Sequence, residues 1–207
     1  MCVLYSGAVD AQVVVEGSAD EGQAKAVPCA ACHGPDGNSV MPAWPSIAGQ
    51  HPSYIVQQMQ AFRACTDGNL PAGCGGRSDP LMAGQVLALS DQDMANLALY
   101  YSSQEAASKT VDDPSILDRG ERLYRGGNSE NSTPACIACH GPTGRGNPAS
   151  AYPSLAGQYA VYTAKQLRDY ASGARRTDGP TRVMRDIAAK LSEEDIVAIS
   201  SYVQGLQ

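Results

Sequence analysis

The sequence predicts an all-α protein built from two tandem helical units. The first observation behind this prediction is an internal repeat, because a segment of about a hundred residues recurs along the chain. The second is the spacing of apolar side chains, which alternates between three and four residues as in an amphipathic helix. The third is that the loops between these segments are rich in Gly and Pro and contain no alternating strand pattern.

The repeat consists of short motifs that recur in the same order. The motif C-x-x-C-H occurs at 29–33 and again at 136–140, each time followed by Gly-Pro, and P-S-[IL]-A-G-Q follows at 45–50 and at 153–158. These motifs predict an N-terminal tail or signal remnant over 1–16, a first domain over 17–103, a linker over 104–114 and a second domain over 115–207. For 1–16 two interpretations stay open. Residues 9–11 fit a small-residue cleavage site, but no basic region precedes them, so a disordered tail fits equally well.

Three helices are predicted in each unit. A first helix over 17–27 or 114–124 leads into the C-x-x-C-H motif, and a middle helix spans 53–64 or 159–172. A last helix begins after Ser90 or Ser192, each an N-cap residue followed by an acidic first turn, and continues through Tyr101 or Val203. Three helices with long loops give each unit a small core, unless a large prosthetic group fills it.

Composition and charge exclude several classes of protein. Apolar residues make up 43% and charged residues 17% of the chain, which is typical of a globular protein. No run of about 18 apolar residues is present, so no membrane-spanning helix is predicted. The formal charge of −6 argues against nucleic acid as a partner. All of that charge lies on the first half, with nine acidic and three basic residues through Ser103, so the charge could orient the protein toward a partner.

The C-x-x-C-H motif is typical of covalent haem attachment in c-type cytochromes. Two thiols on one helical turn can reach both vinyl groups of a haem, and the adjacent histidine then ligates the iron. The predicted attachment residues are Cys29, Cys32, Cys136 and Cys139, and the predicted iron ligands are His33 and His140. Zinc sites and thiol redox sites also use C-x-x-C and remain alternatives, although a zinc ribbon needs two such motifs in one unit and each unit has one.

Each unit resembles a class I cytochrome c, and the pair resembles the dihaem cytochrome c4 family. The resemblance rests on C-x-x-C-H-G, on P-S-[IL]-A-G-Q and on a methionine before an Leu-Ser helix start, and it covers nearly the whole chain. It implies two tandem class I cytochrome c-like haem domains, two covalently bound haem c groups and a methionine as sixth ligand of each iron. Met82 and Met184 lie at the same distance before Leu-Ser, whereas the other methionines within the repeat have no methionine counterpart. Met82 and Met184 are therefore the predicted ligands.

The resemblance also implies what surrounds each haem. In class I cytochromes a proline carbonyl accepts the ring N–H of the ligating histidine, and Pro45 and Pro153 match that proline. The next apolar side chains, Ile47 and Leu155, are expected to pack on the haem ring. Four aromatic residues either serve the haem propionates or only fill the core; they are Trp44, Tyr152, Tyr54 and Tyr162.

Two further residue types need an interpretation. Arg77 and Arg176 resemble the family's arginine in the loop after the middle helix, where the side chain either binds a propionate or is only solvated. His51 is the one remaining histidine and aligns with Tyr159. Because a ligand needed by both haems should be present in both copies, His51 is predicted to be a surface or hydrogen-bonding residue.

Three cysteines lie outside the haem motif. Cys65 and Cys74 have no counterpart in the second unit, and they bracket a Gly- and Pro-containing loop. In an oxidising compartment we expect them to form a disulfide, with two free thiols as the alternative. Cys2 is then left over, and its fate stays open between loss by processing, a free thiol and a link between two chains.

The expected function is that of a periplasmic electron carrier with no catalytic residue. Histidine and methionine would fill both axial positions of each iron, and catalysis needs an open position. The resemblance implies a quinol–cytochrome c oxidoreductase as donor and a haem–copper terminal oxidase as acceptor, and it leaves peripheral membrane association open. The alternatives are the electron-transfer subunit of a periplasmic dehydrogenase, a dihaem peroxidase and a gas or redox sensor. The acidic first half is expected to lower the potential of the first haem.

Overall fold

The computed structural model describes residues 14–65, 74, 76–111 and 113–206. These residues form two helical units, and no strand is present among them beyond three isolated bridges. The first unit contains α1 Ala19–Lys25, α2 Val27–His33, α3 Pro52–Arg63, α4 Pro80–Val86 and α5 Asp91–Ser102. The second contains α6 Leu117–Gly126, α7 Ile137–His140, α8 Ala160–Ser172, α9 Val183–Ala188 and α10 Glu193–Gln204, with short 3₁₀ turns at Pro114–Ile116, Pro148–Ser150 and Gly179–Thr181. The all-α prediction is confirmed.

The prediction of three helices in each unit is wrong, because the described part of each unit contains five. The first predicted helix of the first unit is split after Lys25, and a second helix begins at Val27 with Pro28 in its first turn. Proline has no N–H to bond the preceding turn, so it favours a new helix start over continuation. The helices α4, α7 and α9 have seven, four and six residues, too few to show a helical period in the sequence.

The last helix of each unit begins as predicted. Ser90 accepts a hydrogen bond from the backbone N–H of Asp93, and the Asp93 side chain accepts one from the N–H of Ser90. Ser192 and Asp195 form the same reciprocal pair at the start of α10. This capping box satisfies donors that have no partner within the helix.

In each unit the first helix crosses the last helix at a glycine. A Cβ atom added to Gly22 of α1 would lie 2.1 Å from the backbone oxygen of Asn96 in α5. A Cβ atom added to Gly120 of α6 would lie 2.2 Å from the backbone oxygen of Ala198 in α10. Only glycine lets the two helix backbones approach this closely.

Each unit has its own apolar core, and the C-x-x-C-H segment packs against it. The core of the first unit includes Phe62, Met94, Leu97 and Tyr101, and Cys29 packs on it. The core of the second unit consists of the buried side chains Leu123, Tyr124, Ile199, Val203 and Leu206, and Cys136 packs on it. Packing against the core thus fixes the position of the first cysteine of each motif.

The predicted disulfide is present between Cys65 and Cys74, whose Cα atoms are 5.2 Å apart. Cys2 and the expected signal remnant lie outside the described residues, except for 14–16. Over the ranges that the structure describes, no helix is both long and apolar enough to cross a membrane.

Candidate haem sites

Both predicted iron-ligating histidines lie at the end of a short helix, buried, with their ring orientation fixed. His33 ends α2 and its Nδ1–H donates to the carbonyl oxygen of Pro45 at 2.8 Å. His140 ends α7 and its Nδ1–H donates to the carbonyl oxygen of Pro153 at 3.0 Å. A carbonyl oxygen can only accept, so Nδ1 carries the proton and the lone pair lies on Nε2. Each imidazole is therefore in the tautomer that can bind a metal through Nε2.

The protonation states of these groups agree with haem attachment. Burial lowers the pKa of His33 and of His140 below the ordinary value, which keeps both rings neutral, and the positive charge of Arg77 lowers the pKa of His33 further. Burial raises the pKa of the Cys29 thiol, and it raises that of Cys136 to about 11. A thiol redox centre requires the opposite, a cysteine pKa lowered toward neutrality.

The zinc alternative also lacks support. Within the described residues, no group of three or more His, Cys, Asp or Glu side chains is arranged to hold a metal ion. A structural zinc site takes four such ligands. The four motif cysteines are partly exposed, and none of them is part of a disulfide, so all four are open to attachment to a prosthetic group.

The predicted ring-packing residues are placed by the loop that follows each motif. The N–H of Ile47 donates to the Gly37 carbonyl at 2.7 Å, and the N–H of Leu155 donates to the Gly144 carbonyl at 2.6 Å. Ile47 packs against the same apolar cluster as Cys29, and Leu155 packs with Cys136. In each unit the predicted ring-packing residue and the first cysteine of the motif therefore pack against the same apolar cluster.

The predicted methionine ligands occupy equivalent positions on α4 and α9. Asp79 caps α4, where it accepts hydrogen bonds from the N–H groups of Leu81 and Met82. Met82 is half-buried and packs against the core of the first unit. Met184 is half-buried in the first turn of α9.

The four aromatic residues divide into two groups. Trp44 and Tyr152 are half-buried in the loops that end at Pro45 and Pro153, and the Tyr152 ring centroid lies 6.3 Å from that of His140. Tyr54 and Tyr162 lie where the two units meet, and each hydroxyl accepts a hydrogen bond from an arginine of the other unit. Arg175 binds Tyr54 at 2.7 Å, and Arg77 binds Tyr162.

The second arginine of this pair is Arg175 and not Arg176, so that part of the prediction is wrong. Arg77 and Arg175 face each other in an antiparallel bridge, and both side chains are buried rather than solvated. The sequence has adjacent arginines at 175 and 176. After the left-handed turn at Gly173, the N–H of Arg175 bonds the Asp169 carbonyl and that of Arg176 bonds the Gly76 carbonyl of the first unit. The spacing of residues along the sequence does not show which of two adjacent arginines faces a partner in the other unit.

Two glutamines complete this arginine pair, and the sequence reasoning gave them no role. The Gln58 side-chain oxygen accepts from Arg77 at 2.7 Å and from Arg175 at 2.8 Å. The Gln166 oxygen accepts from Arg175 at 2.7 Å and from Arg77 at 3.1 Å. The signal that could have found them is that Gln58 and Gln166 are equivalent polar residues on the middle helices of both units.

The loops that hold the two histidines are also joined directly. The Gln158 side chain bonds both the N–H and the carbonyl of Ser46, at 3.1 and 2.8 Å. The Gln50 side chain makes the same two bonds to Ser154, at 3.0 and 2.9 Å. Ser46 and Ser154 follow the prolines that orient the histidines, so a short path of backbone and glutamine side chains links the two sites.

Comparison with known proteins agrees with this geometry. The family model described as cytochrome c matches the chain twice, over residues 19–105 and 117–207. A cytochrome c4 of Azotobacter vinelandii is 51% identical over 190 residues, which cover 92% of this chain and 90% of that protein. The crystal structure of reduced recombinant cytochrome c4 from Pseudomonas stutzeri superposes with a TM-score of 0.88 at 46% identity, covering 93% of this chain and 100% of that one. The chain belongs to the cytochrome c4 family.

Membership of the cytochrome c4 family establishes the cofactor and the kind of function. The protein carries two covalently bound c-type haems, one for each cytochrome c domain, and it is an electron carrier. A thiosulfate dehydrogenase electron acceptor of Stutzerimonas stutzeri (strain A1501) is also related, at 35% identity over 180 residues that cover 86% of this chain and 78% of that protein. The residues described above fit two haems, because each unit offers two thiols, a neutral buried imidazole and a methionine.

Proposed function

We propose that this cytochrome c4 is a periplasmic electron carrier that accepts electrons from a quinol–cytochrome c oxidoreductase and donates them to a haem–copper terminal oxidase. Cys29 and Cys32 would attach the first haem, with His33 and Met82 as axial ligands. The matching residues of the second unit are Cys136, Cys139, His140 and Met184. The observation that carries the proposal is the pair of buried histidines, each held by a proline carbonyl with Nε2 left for the iron.

This ligand set supports electron transfer rather than catalysis. Histidine and methionine together fill both axial positions of an iron, so no position is open for a substrate or for oxygen, and they raise the reduction potential. We therefore propose no catalytic residue in this chain. The dihaem peroxidase and the gas sensor would both need at least one iron with a displaceable ligand.

The interface would suit two haems in electronic contact. Arg77 and Arg175 are two buried like charges, and among the described residues neither has a carboxylate within ion-pair distance. Burial of a cation is costly unless an anion compensates it. Haem propionates directed at this interface would supply that anionic charge, and Tyr54 and Tyr162 would be further donors there.

The compartment and the partners follow from separate arguments. A disulfide between Cys65 and Cys74 supports an oxidising compartment, and covalent haem attachment after export agrees with the periplasm. The quinol–cytochrome c oxidoreductase and the terminal oxidase come from the family resemblance. A second candidate donor is a periplasmic dehydrogenase, because one relative at 35% identity is a thiosulfate dehydrogenase electron acceptor.

An optical redox titration of the holoprotein, with the far-red methionine–iron band and carbon monoxide binding recorded, tests the proposal. We expect two low-spin haems at positive potential, both with the methionine band and neither binding carbon monoxide. Met82→Ala and Met184→Ala should each remove the band from one haem and make that haem bind carbon monoxide.

Met59→Leu is the matched control, because Met59 is a buried core residue whose counterpart is Leu167. It should leave both bands intact. A wild-type protein that binds carbon monoxide at one haem would instead support the enzyme or sensor function. For the partners, the reduced protein is mixed with a purified haem–copper oxidase, and oxygen consumption that does not depend on this cytochrome would contradict the proposed acceptor.

A further inference from the structure

The two interface arginines are reached by connections of very different length. Arg175 follows Gln166 by 9 residues, whereas Arg77 follows Gln58 by 19, although both pairs make the same hydrogen bond. The first unit therefore has ten more residues between the glutamine of its middle helix and its arginine. A longer connection costs more conformational entropy to close, so the first unit needs an additional restraint to hold Arg77 equally well.

The second unit holds Arg175 by a short turn. Helix α8 ends at Ser172, and Gly173 adopts a left-handed conformation with φ of 77°. The N–H of Arg175 then donates to the carbonyl of Asp169 at 2.8 Å, and its Nε donates to the Thr177 hydroxyl at 3.1 Å. The backbone itself thus fixes this arginine next to the helix that carries Gln166.

The first unit has the Cys65–Cys74 disulfide at the corresponding place. Cys65 is 1% exposed two residues after the end of α3, and its N–H donates to the Phe62 carbonyl. Gln58 and Phe62 lie four residues apart on one face of α3, and the N–H bond to Phe62 holds Cys65 next to that face. The disulfide ties Cys74 to that face, which leaves only two residues between Cys74 and Arg77.

The segment that follows Cys74 contacts both units. The Arg77 guanidinium lies 4.4 Å from the centre of the Phe62 ring, and the carbonyl of Gly76 accepts a hydrogen bond of 2.6 Å from the N–H of Arg176. Gly76 has a φ of 83°, and a Cβ atom there would meet the Arg176 backbone at 2.7 Å. The backbone of Gly76 and the side chain of Arg77, both close to the disulfide in sequence, thus form hydrogen bonds to the second unit.

We propose that the Cys65–Cys74 disulfide is a positioning element for Arg77, and that through Arg77 it raises the reduction potential of the first haem. A nearby positive charge stabilises the ferrous form of a haem, and the second unit obtains the same arrangement from its glycine turn. Arg77 lies over the ring of Phe62, which belongs to the same apolar cluster against which Cys29 and the predicted ligand Met82 pack, so its charge borders the first haem site. Arg175 lies instead over the ring of Tyr170 in the second unit. This inference requires the two haems but none of the partners proposed above.

The experiment compares site potentials in the double variant Cys65→Ser/Cys74→Ser, in Arg77→Gln and in their combination, all as holoproteins with two haems. We expect the double variant to lower the potential of the first haem and to leave that of the second nearly unchanged. Arg77→Gln should shift the first haem further in the same direction, and removal of the disulfide should add nothing in that background.

Two additional samples separate a positioning role from a merely stabilising one. Replacement of residues 65–75 by a single glycine gives the first unit the connection length of the second, and it should restore the potential without the disulfide. If the serine variant does not accumulate, purified protein can be treated with a dithiol, alkylated and then reoxidised at the haems before the same titration. Unchanged potentials after loss of the disulfide, or an equal shift in the Arg77→Gln background, would overturn the inference.

Discussion

The two units share one plan but achieve it with different means. Both have a C-x-x-C-H helix, a histidine bonded to a proline carbonyl and an arginine that reaches a glutamine of each unit. Among its described residues the first unit has a cluster of nine buried core residues, and it also carries the excess of negative charge and has a disulfide. The second has a cluster of five and a glycine turn. The two units therefore share the contacts of the ligating histidine and of the interface arginine, while the chain segment that leads to that arginine differs between them.

At the interface, equivalent positions of the two units also hold different residue types. At the start of α8 the hydroxyl of Tyr159 donates to the Ser39 carbonyl of the first unit at 2.8 Å. Its counterpart His51, at the start of α3, has its pKa lowered by burial, and the backbone of Arg145 in the second unit acts in the opposite direction. Ser39 and Arg145 both lie in the loop that follows the C-x-x-C-H motif. His51 therefore lies at the interface between the units, and the prediction that it is not an iron ligand stays a prediction.

The largest expected effect comes from removal of one pair of attachment cysteines. Cys29→Ser/Cys32→Ser and Cys136→Ser/Cys139→Ser should each lower the covalent haem content from two haems to one, because only thiols form the bonds to the vinyl groups. Mass spectrometry of the denatured protein and the haem absorbance measure this content. Cys65→Ser/Cys74→Ser is the control and should retain both haems. Loss of both haems from one pair would show that the units do not mature independently.

A smaller effect is expected at the helix crossings, and it should be equal in both units. Gly22→Ala and Gly120→Ala each place a methyl group within about 2 Å of a backbone oxygen, so each should destabilise the protein by about 1–3 kcal/mol. Chemical unfolding followed by circular dichroism measures the free energy. Gly84→Ala and Gly126→Ala are matched controls with open space around the added methyl. A clear difference between Gly22 and Gly120 would show that one crossing relaxes and the other does not.

Long amphipathic segments and local capping could be predicted from the sequence because their signals lie within a few residues. The middle helices over 53–64 and 159–172 were placed within about one residue of their observed ends, Pro52–Arg63 and Ala160–Ser172. The hydrogen bonds from His33 and His140 to prolines are present where the resemblance implied them. Such features depend on local sequence motifs and not on contacts between segments that are distant in the sequence.

Features that depend on tertiary contacts could not be predicted. The helices α4 and α9 contain the predicted methionine ligands, but they have only seven and six residues and are stabilised by packing rather than by propensity. The choice of Arg175 over Arg176 depends on the left-handed turn at Gly173 and on a partner nearly a hundred residues away. The pairing of Gln58 and Gln166 at one interface likewise requires the docked geometry.

The smallest expected effect concerns acid stability and the ion pair of each capping box. Asp93 pairs with Lys25, and these contacts lower its pKa to about 2; Arg119 lowers the pKa of Asp195 against the opposing effect of burial. A carboxylate whose pKa is lower in the folded state stabilises the fold above its unfolded pKa of about 3.9, and this contribution is lost as the pH falls through the folded value. Stability should therefore decline between about pH 4 and pH 2, and Asp93→Asn or Asp195→Asn should each reduce that decline.

Asp195→Asn should have the larger effect at neutral pH, because the side chain of Asp195 is 7% exposed against 18% for Asp93. Arg119 also donates two hydrogen bonds to the same Asp195 oxygen, at 3.0 and 2.7 Å, and Asp195→Asn replaces this charged acceptor by a neutral and weaker one. Arg119→Ala, which keeps the capping box, should cost less than about 1 kcal/mol, as is usual for a partly exposed pair. Unfolding measured from pH 7 to pH 2 in the two Asn variants tests the ranking. A steeper acid decline in either variant than in the wild type would contradict the assigned direction of that carboxyl's pKa, since removal of the titrating group can only flatten the curve.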